Sequence, residues 1–145
     1  MKKWKRILLV EDSAKDRELT IEALEKLNLL NEIIAVNDGQ EAVDYLFYKG
    51  KFVDRSQGKP AVVLLDLKMP KLNGIDVLKI IREDPKLKRL PVVILTSSKE
   101  EKDLEACYEL GVNAYVVKPV GFSEFVEAVK NVGLFWGIVN ETPNE

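Results

Sequence analysis

The chain has 145 residues, 46% of them hydrophobic and 32% charged, which fits one domain able to bury a sizeable core and leaves no room for a second. Its formal net charge of −2 offers no basic field for a phosphate backbone, so DNA binding by this chain is not expected. The absence of histidine excludes His-based triads, His zinc sites and His general bases, and the lone Cys107 excludes an internal disulfide. No N-terminal stretch has a signal-peptide layout, and no run reaches about 18 apolar residues. A protein of the reducing cytoplasm, without membrane contact, is expected.

In chain order, the first apolar run is Ile7–Val10, followed by Leu19, Ala23 and Leu27 at helical spacing. Ile33–Val36 precedes a helix predicted over Gln40–Tyr48, with Asp38 near its cap and Gly50 closing it. Val62–Leu65 leads to the stripe Val77, Leu78 and Ile81; Val92–Leu95 leads to Leu104, Cys107 and Tyr108; Ala114–Val117 leads to Phe122, Phe125, Val126 and Val129. Near-continuous apolar runs, as opposed to alternating ones, suit parallel strands buried on both faces. The resulting (βα)5 order predicts an α/β fold, a flavodoxin-like, doubly wound five-stranded parallel sheet with right-handed crossovers. Ligands in such sheets sit at the carboxyl ends of the strands, near a topological switch point.

Those strand ends carry the chemistry. Glu11 and Asp12 follow the first strand, Asp66 the third, Thr96-Ser97-Ser98 the fourth and Lys118-Pro119 the fifth. Two full charges about 4 Å apart repel by about 4 kcal/mol at an effective dielectric of about 20, so converging acids favour a cation. Mg2+ suits a small oxygen shell of one or two carboxylates plus a substrate phosphate. A carboxylate shielded in this way can accept a phosphoryl group, with a lysine and a hydroxyl stabilising its oxygens.

The stretches Val10-Glu11-Asp12-Ser13, Leu65-Asp66-Leu67-Lys68-Met69-Pro70 with Asn73-Gly74, Leu95-Thr96-Ser97-Ser98 and Lys118-Pro119 resemble the receiver domain of two-component response regulators. The likeness covers nearly the whole chain. It implies that Asp66 accepts a phosphoryl group from a sensor histidine kinase or histidine phosphotransfer protein. It also implies that Asp12 and Asp66 ligate Mg2+, that Glu11 assists through water, and that the Lys68 backbone carbonyl is a further ligand. Thr96 and Lys118 would hold the acyl-phosphate oxygens, and Tyr115 occupies the aromatic switch position. The signal would leave through the face formed by the fourth helix, fifth strand and fifth helix toward an unidentified downstream protein. Lys68 departs from the smaller or acidic residues often found two places after the acceptor, which predicts altered self-dephosphorylation.

Each residue also has a plainer reading. Asp12 and Ser13 are both residue types that cap helices, and Asp66 suits a turn ahead of Pro70 and Gly74. Ser98-Lys99-Glu100-Glu101 reads as a capping box for the fourth helix. Lys118 alone would be a surface charge, Tyr115 a core aromatic and Cys107 helix packing.

Two features set the chain apart. Residues 48–60 make the connection into the third strand longer than usual αβ loops. The tail 133–143 and the stretch 84–91 resemble the subgroup that partners bacterial phytochrome-type kinases. One receiver domain is expected over 1–145, with its core over about 5–135 and an extension over 136–145. Phe135 and Trp136 either extend the fifth helix's apolar stripe or, if exposed, serve a homodimer or partner contact. A flavodoxin-like cofactor binder would need a glycine- and hydroxyl-rich phosphate loop where Glu11-Asp12-Ser13 stands, so no organic cofactor is expected. A haloacid-dehalogenase-like phosphatase would need an acid at Lys68. An enzyme with an external substrate is therefore not expected; the resemblance implies a phosphoacceptor signalling protein, and the strongest competitor is a receiver-like docking module that does not use phosphorylation.

Overall fold

The computed structural model describes residues 6–26 and 32–118. Five strands, β1 (Ile7–Val10), β2 (Ile33–Val36), β3 (Val62–Leu65), β4 (Val92–Thr96) and β5 (Ala114–Val117), form one parallel sheet in the order β2-β1-β3-β4-β5. Four helices connect or flank them: α1 (Ala14–Lys26), α2 (Gly39–Leu46), α3 (Gly74–Glu83) and α4 (Glu101–Glu109). The order is the flavodoxin-like doubly wound topology, whose strand order reverses between β1 and β3. The anticipated fifth helix (Phe122, Phe125, Val126, Val129), Leu27, Pro119 and the tail with Phe135 and Trp136 lie outside the described residues.

The apolar runs make β1, β3 and β4 strands because both of their faces are covered. Leu8, Val10, Val63, Leu65, Val92 and Ile94 pack on α2, α3 and α4, while Ile7, Leu9, Val62, Leu64, Val93 and Leu95 pack on the α1 side. Every residue of these three strands is buried. At about 1.5–3 kcal/mol for each fully buried large aliphatic side chain, this double coverage is the main stabilising contribution. The edge strand β2 departs from the expectation of two-sided burial: Ala35 is exposed and only Val36 is fully buried.

Several local predictions are corrected. In α1, Leu19 is exposed and the sheet-facing residues are Ile21, Ala23 and Leu24. In α4, Leu104 and Tyr108 are exposed, and Asp103 and Cys107 face inward. One polar residue thus rotates the buried stripe away from the apolar positions. Strand β4 runs one residue further, to Thr96, because Lys118 N–H donates to the Thr96 carbonyl at 2.7 Å.

Helix α2 stops at Leu46 and not Tyr48. Tyr48 takes the left-handed conformation (φ 60°), Lys49 N–H returns to Asp44 O at 2.8 Å and Tyr48 N–H to Tyr45 O at 3.4 Å, so tyrosine fills the terminating position expected of Gly50. What holds Tyr48 there is Arg55. Its guanidinium lies 3.9 Å from the centres of both the Tyr45 and Tyr48 rings, and its Nε donates to Tyr45 O at 2.7 Å. The long connection after α2 is thereby folded down, with a single 3-10 turn at Gly50–Phe52.

The capping box at the start of α4 does not form. The capping position is Glu100, with no side-chain cap bond. Ser98 Oγ instead donates to Asp103 Oδ2 at 2.5 Å and accepts from Glu100 N–H at 3.3 Å. Helix α4 begins at Glu101, two residues past the start that a Ser98 cap would require, so the Ser98 oxygen serves a turn ahead of the helix while its hydroxyl donates to the buried Asp103 carboxylate. At the other helices the caps are local: Ser13 Oγ accepts from Asp16 N–H (3.3 Å), Asp38 from Glu41 N–H (2.8 Å) and Asn73 from Asp76 N–H (3.0 Å).

Candidate functional site

The register of the sheet builds the site. Val10 pairs with Leu65, so the residues that follow, Glu11 and Asp66, leave the sheet side by side across the switch point. Their backbones are pinned by ladder bonds: Glu11 N–H donates to Val36 O and Asp66 N–H to Val10 O, both at 3.1 Å. Capping of α1 falls to Ser13, which leaves the exposed Asp12 carboxylate uncommitted beside them. A carboxylate oxygen from each of Glu11, Asp12 and Asp66 lies within 4.8 Å of the other two. Three hard oxygen donors so close together fit a hard divalent cation with an oxygen shell.

Lys118 enters from the end of β5. Its Nζ is 2.6 Å from Glu11 Oε1, 2.9 Å from Asp16 Oδ2 and 3.6 Å from Asp66 Oδ2. The lysine expected at the site is therefore there, and with it Asp16, a residue sequence reasoning missed. The available signal was its place in the first turn of α1, one helical turn beyond Asp12. Burial alone would lower the Lys118 pKa, but hydrogen bonds to Glu11 and Asp16 and the Asp66 charge outweigh it and the net shift is upward. Burial pushes Glu11 up to about 7, with the neighbouring Asp66 charge acting in the same direction and the Lys118 hydrogen bond opposing both.

Asp66 is 5% exposed, which is tolerable for a carboxylate only beside such partners. Its loop is shaped by Gly74, where a β-carbon would come within 2.3 Å of the Asp66 carbonyl oxygen. Only a residue without a side chain lets α3 begin so near Asp66.

Thr96 and Tyr115 meet through Ser98. The Thr96 hydroxyl, fully buried, accepts from Ser98 N–H at 3.3 Å, and Tyr115 donates its hydroxyl to Ser98 O at 3.0 Å. Tyr115 packs against the core on the α4 side. Lys68 turns away from Asp66: its Nζ lies 3.5 Å from Asp103 Oδ2, the carboxylate already held by Ser98. The Ser98 hydrogen bond, against some burial and helped by the Lys68 charge, holds the Asp103 pKa below the usual carboxylate range. Beside this pair opens a cavity of about 370 Å³ lined by Leu67, Lys68, Met69, Asn73, Ile75 and Asp103. Cys107 is buried helix packing, one turn beyond Asp103 on the inner face of α4.

Comparison with known proteins agrees with this geometry. Residues 7–130 match the family described as the response regulator receiver domain. The chain is 40% identical over 130 residues to the response regulator Rcp1 of Synechocystis sp., covering 90% of this chain and 87% of that protein. Among solved structures, the bacteriophytochrome response regulator RtBRR is 55% identical with a TM-score of 0.85, covering 97% of this chain and 85% of that one. The phosphorylated cyanobacterial phytochrome response regulator RcpA is 40% identical with a TM-score of 0.80 (94% and 96% covered). The Mn2+-bound form of Rcp1 is 38% identical with a TM-score of 0.75 (97% of both chains). With its doubly wound sheet and its acids gathered at the switch point, the chain belongs to the response regulator receiver domain family.

Proposed function

We propose that this receiver domain accepts a phosphoryl group on Asp66 from a histidine kinase or histidine phosphotransfer protein, with Mg2+ held by Asp12, Asp66, the Lys68 backbone carbonyl and, through water, Glu11. The observation that carries the reading is the convergence of Glu11, Asp12, Asp66 and Lys118 from three strand ends onto one point. Mg2+ would supply charge neutralisation between the carboxylates and the phosphoryl oxygens. Asp66 attacks phosphorus in line, the bond from phosphorus to the donor nitrogen breaks, and that nitrogen keeps the electron pair. Lys118 offsets the negative charge of the phosphoryl oxygens, so positioning and electrostatics carry the rate. The protein is then a phosphoacceptor that catalyses its own modification, not an enzyme turning over an external substrate.

The output follows from the Thr96–Ser98–Tyr115 chain. When the Thr96 hydroxyl turns to the acyl phosphate, Ser98 N–H loses its acceptor and the Ser98 carbonyl that holds Tyr115 shifts. The equilibrium between two arrangements of the face built by α4 and β5 is thereby biased. Lys68, facing the cavity beside Asp103, can swing toward the phosphoryl group and alter its lifetime. The names of the relatives, which are phytochrome response regulators, favour a phytochrome-type kinase as the donor; signalling in the cytoplasm and a homodimer as one partner state belong to the same proposal.

Intact mass after incubation with Mg2+ and acetyl phosphate tests the core of the reading. Wild type gains one phosphoryl group and Asp66→Asn does not; equal mass gain in both proteins overturns it. Phosphotransfer from a purified bacteriophytochrome kinase, faster than from an unrelated histidine kinase, tests the narrower donor.

A further inference from the structure

We propose that Asp16 is a positioning residue for Lys118, fixing the ammonium over Asp66 when a divalent cation engages the acidic cluster; the proposal rests on Asp66 being the phosphoacceptor. An ammonium has three N–H donors. In Lys118, Glu11 (2.6 Å) and Asp16 (2.9 Å) lie at hydrogen-bond distance, while Asp66 stands at 3.6 Å, within ion-pair reach. The ammonium thus lies between two tight acceptors and faces the acceptor carboxylate at a longer distance.

The two tight acceptors differ in what a cation does to them. Glu11 belongs to the triad whose oxygens lie within 4.8 Å of one another; Asp16 does not. A cation at that triad competes with Lys118 for Glu11 and Asp66, and Asp16 is the carboxylate left to hold the amine. Asp16 is also suited to permanence. Its backbone is locked in the first turn of α1 by the Ser13 cap at 3.3 Å, and its side chain is 36% exposed, so holding the amine there does not require burying another carboxylate. The lysine needs such an anchor, because the bond from Lys118 N–H to Thr96 O fixes only its backbone and leaves a flexible four-carbon stem. A plainer role for Asp16, an acid favourably placed at a helix N-terminus, would not depend on Lys118.

A double-mutant cycle separates the two. Wild type, Asp16→Ala, Lys118→Ala and the double variant are compared for phosphoryl incorporation from acetyl phosphate at saturating Mg2+, for Mg2+ affinity by calorimetry, and for melting in EDTA. Asp16→Ala is expected to slow incorporation about tenfold when Lys118 is present and less than about twofold in the Lys118→Ala background, with Asp16→Asn intermediate. Its Mg2+ affinity should stay within about threefold of wild type, and in EDTA it should lower the melting temperature only when Lys118 is present. Additive effects across the cycle, an unchanged rate, or a Mg2+ affinity that falls in step with the rate each overturn the positioning role. Wild type that takes up no phosphoryl group overturns the acceptor reading itself, which is a different failure.

Discussion

Replacing Gly74 by alanine strikes the point where fold and site share atoms. The added β-carbon would sit 2.3 Å from the Asp66 carbonyl oxygen, 2.7 Å from Leu67 Cα and 3.0 Å from the Asp66 carbonyl carbon. All three obstacles are backbone, so no side chain can turn aside. Reaching even a 3.0 Å contact requires the carbonyl to retreat by about 0.7 Å. Overpacking of this kind costs about 1–3 kcal/mol, or a fall in melting temperature of roughly 3–12 °C for a chain of this size. Because the displaced carbonyl belongs to Asp66, incorporation from acetyl phosphate should slow by about a hundredfold, the scale expected for a misplaced reacting group. Thermal melting and an intact-mass time course measure both effects. Gly39→Ala is the matched control: its β-carbon would meet the Leu72 carbonyl oxygen at 2.0 Å, so it should destabilise comparably with a much smaller loss of rate. A Gly74→Ala protein with wild-type melting and wild-type incorporation would refute the argument.

Three further outcomes are expected. Glu11, near 4.5 when unfolded and raised to about 7 in the fold, binds a proton in the native state that the unfolded chain has released, so its contribution to stability declines as pH rises through that interval. Lys118, raised above 10.5, contributes fully below that value and does not interfere. In EDTA, wild type should therefore lose melting temperature between pH 5 and 8 more steeply than Glu11→Gln; parallel slopes would remove the assignment. Lys68→Ala should change stability by less than about 1 kcal/mol, because the lysine side chain is 57% exposed and the buried Asp103 keeps its Ser98 hydrogen bond, yet change the phosphoryl lifetime on Asp66; equal lifetimes measured by intact mass would dismiss a role for Lys68. Cys107, whose thiol burial pushes up to about 11, should resist alkylation at pH 8 until denaturant is added; prompt labelling of the native protein would contradict its packing.

All five strands were legible in the chain because each is a local signal: a run such as Val62–Leu65 is apolar without interruption, and only a strand covered on both faces buries it. The site was legible for a related reason. In a parallel doubly wound sheet every strand ends at the same edge, so naming the residues after Val10, Leu65, Leu95 and Val117 already names the neighbours. Local reasoning went astray where competing partners were distant or chemically stronger. It put Gly50 at a helix end that Tyr48 makes with help from Arg55, and it gave Ser98 the cap of a helix that starts only at Glu101. It faced Leu104 and Tyr108 inward beside Cys107, whereas of these three only Cys107 is buried and Asp103 joins it at the core.

The pairing of Lys118 with Asp16 spans 102 positions of the chain, and its one local hint is the place of Asp16 one helical turn beyond Asp12. Periodicity and strand-end position are properties of the sequence itself, since they depend only on which neighbours a residue has along the chain. Which carboxylates share an ammonium depends on where crossovers set α1 against β5, and that was decided only when the sheet closed up around its switch point.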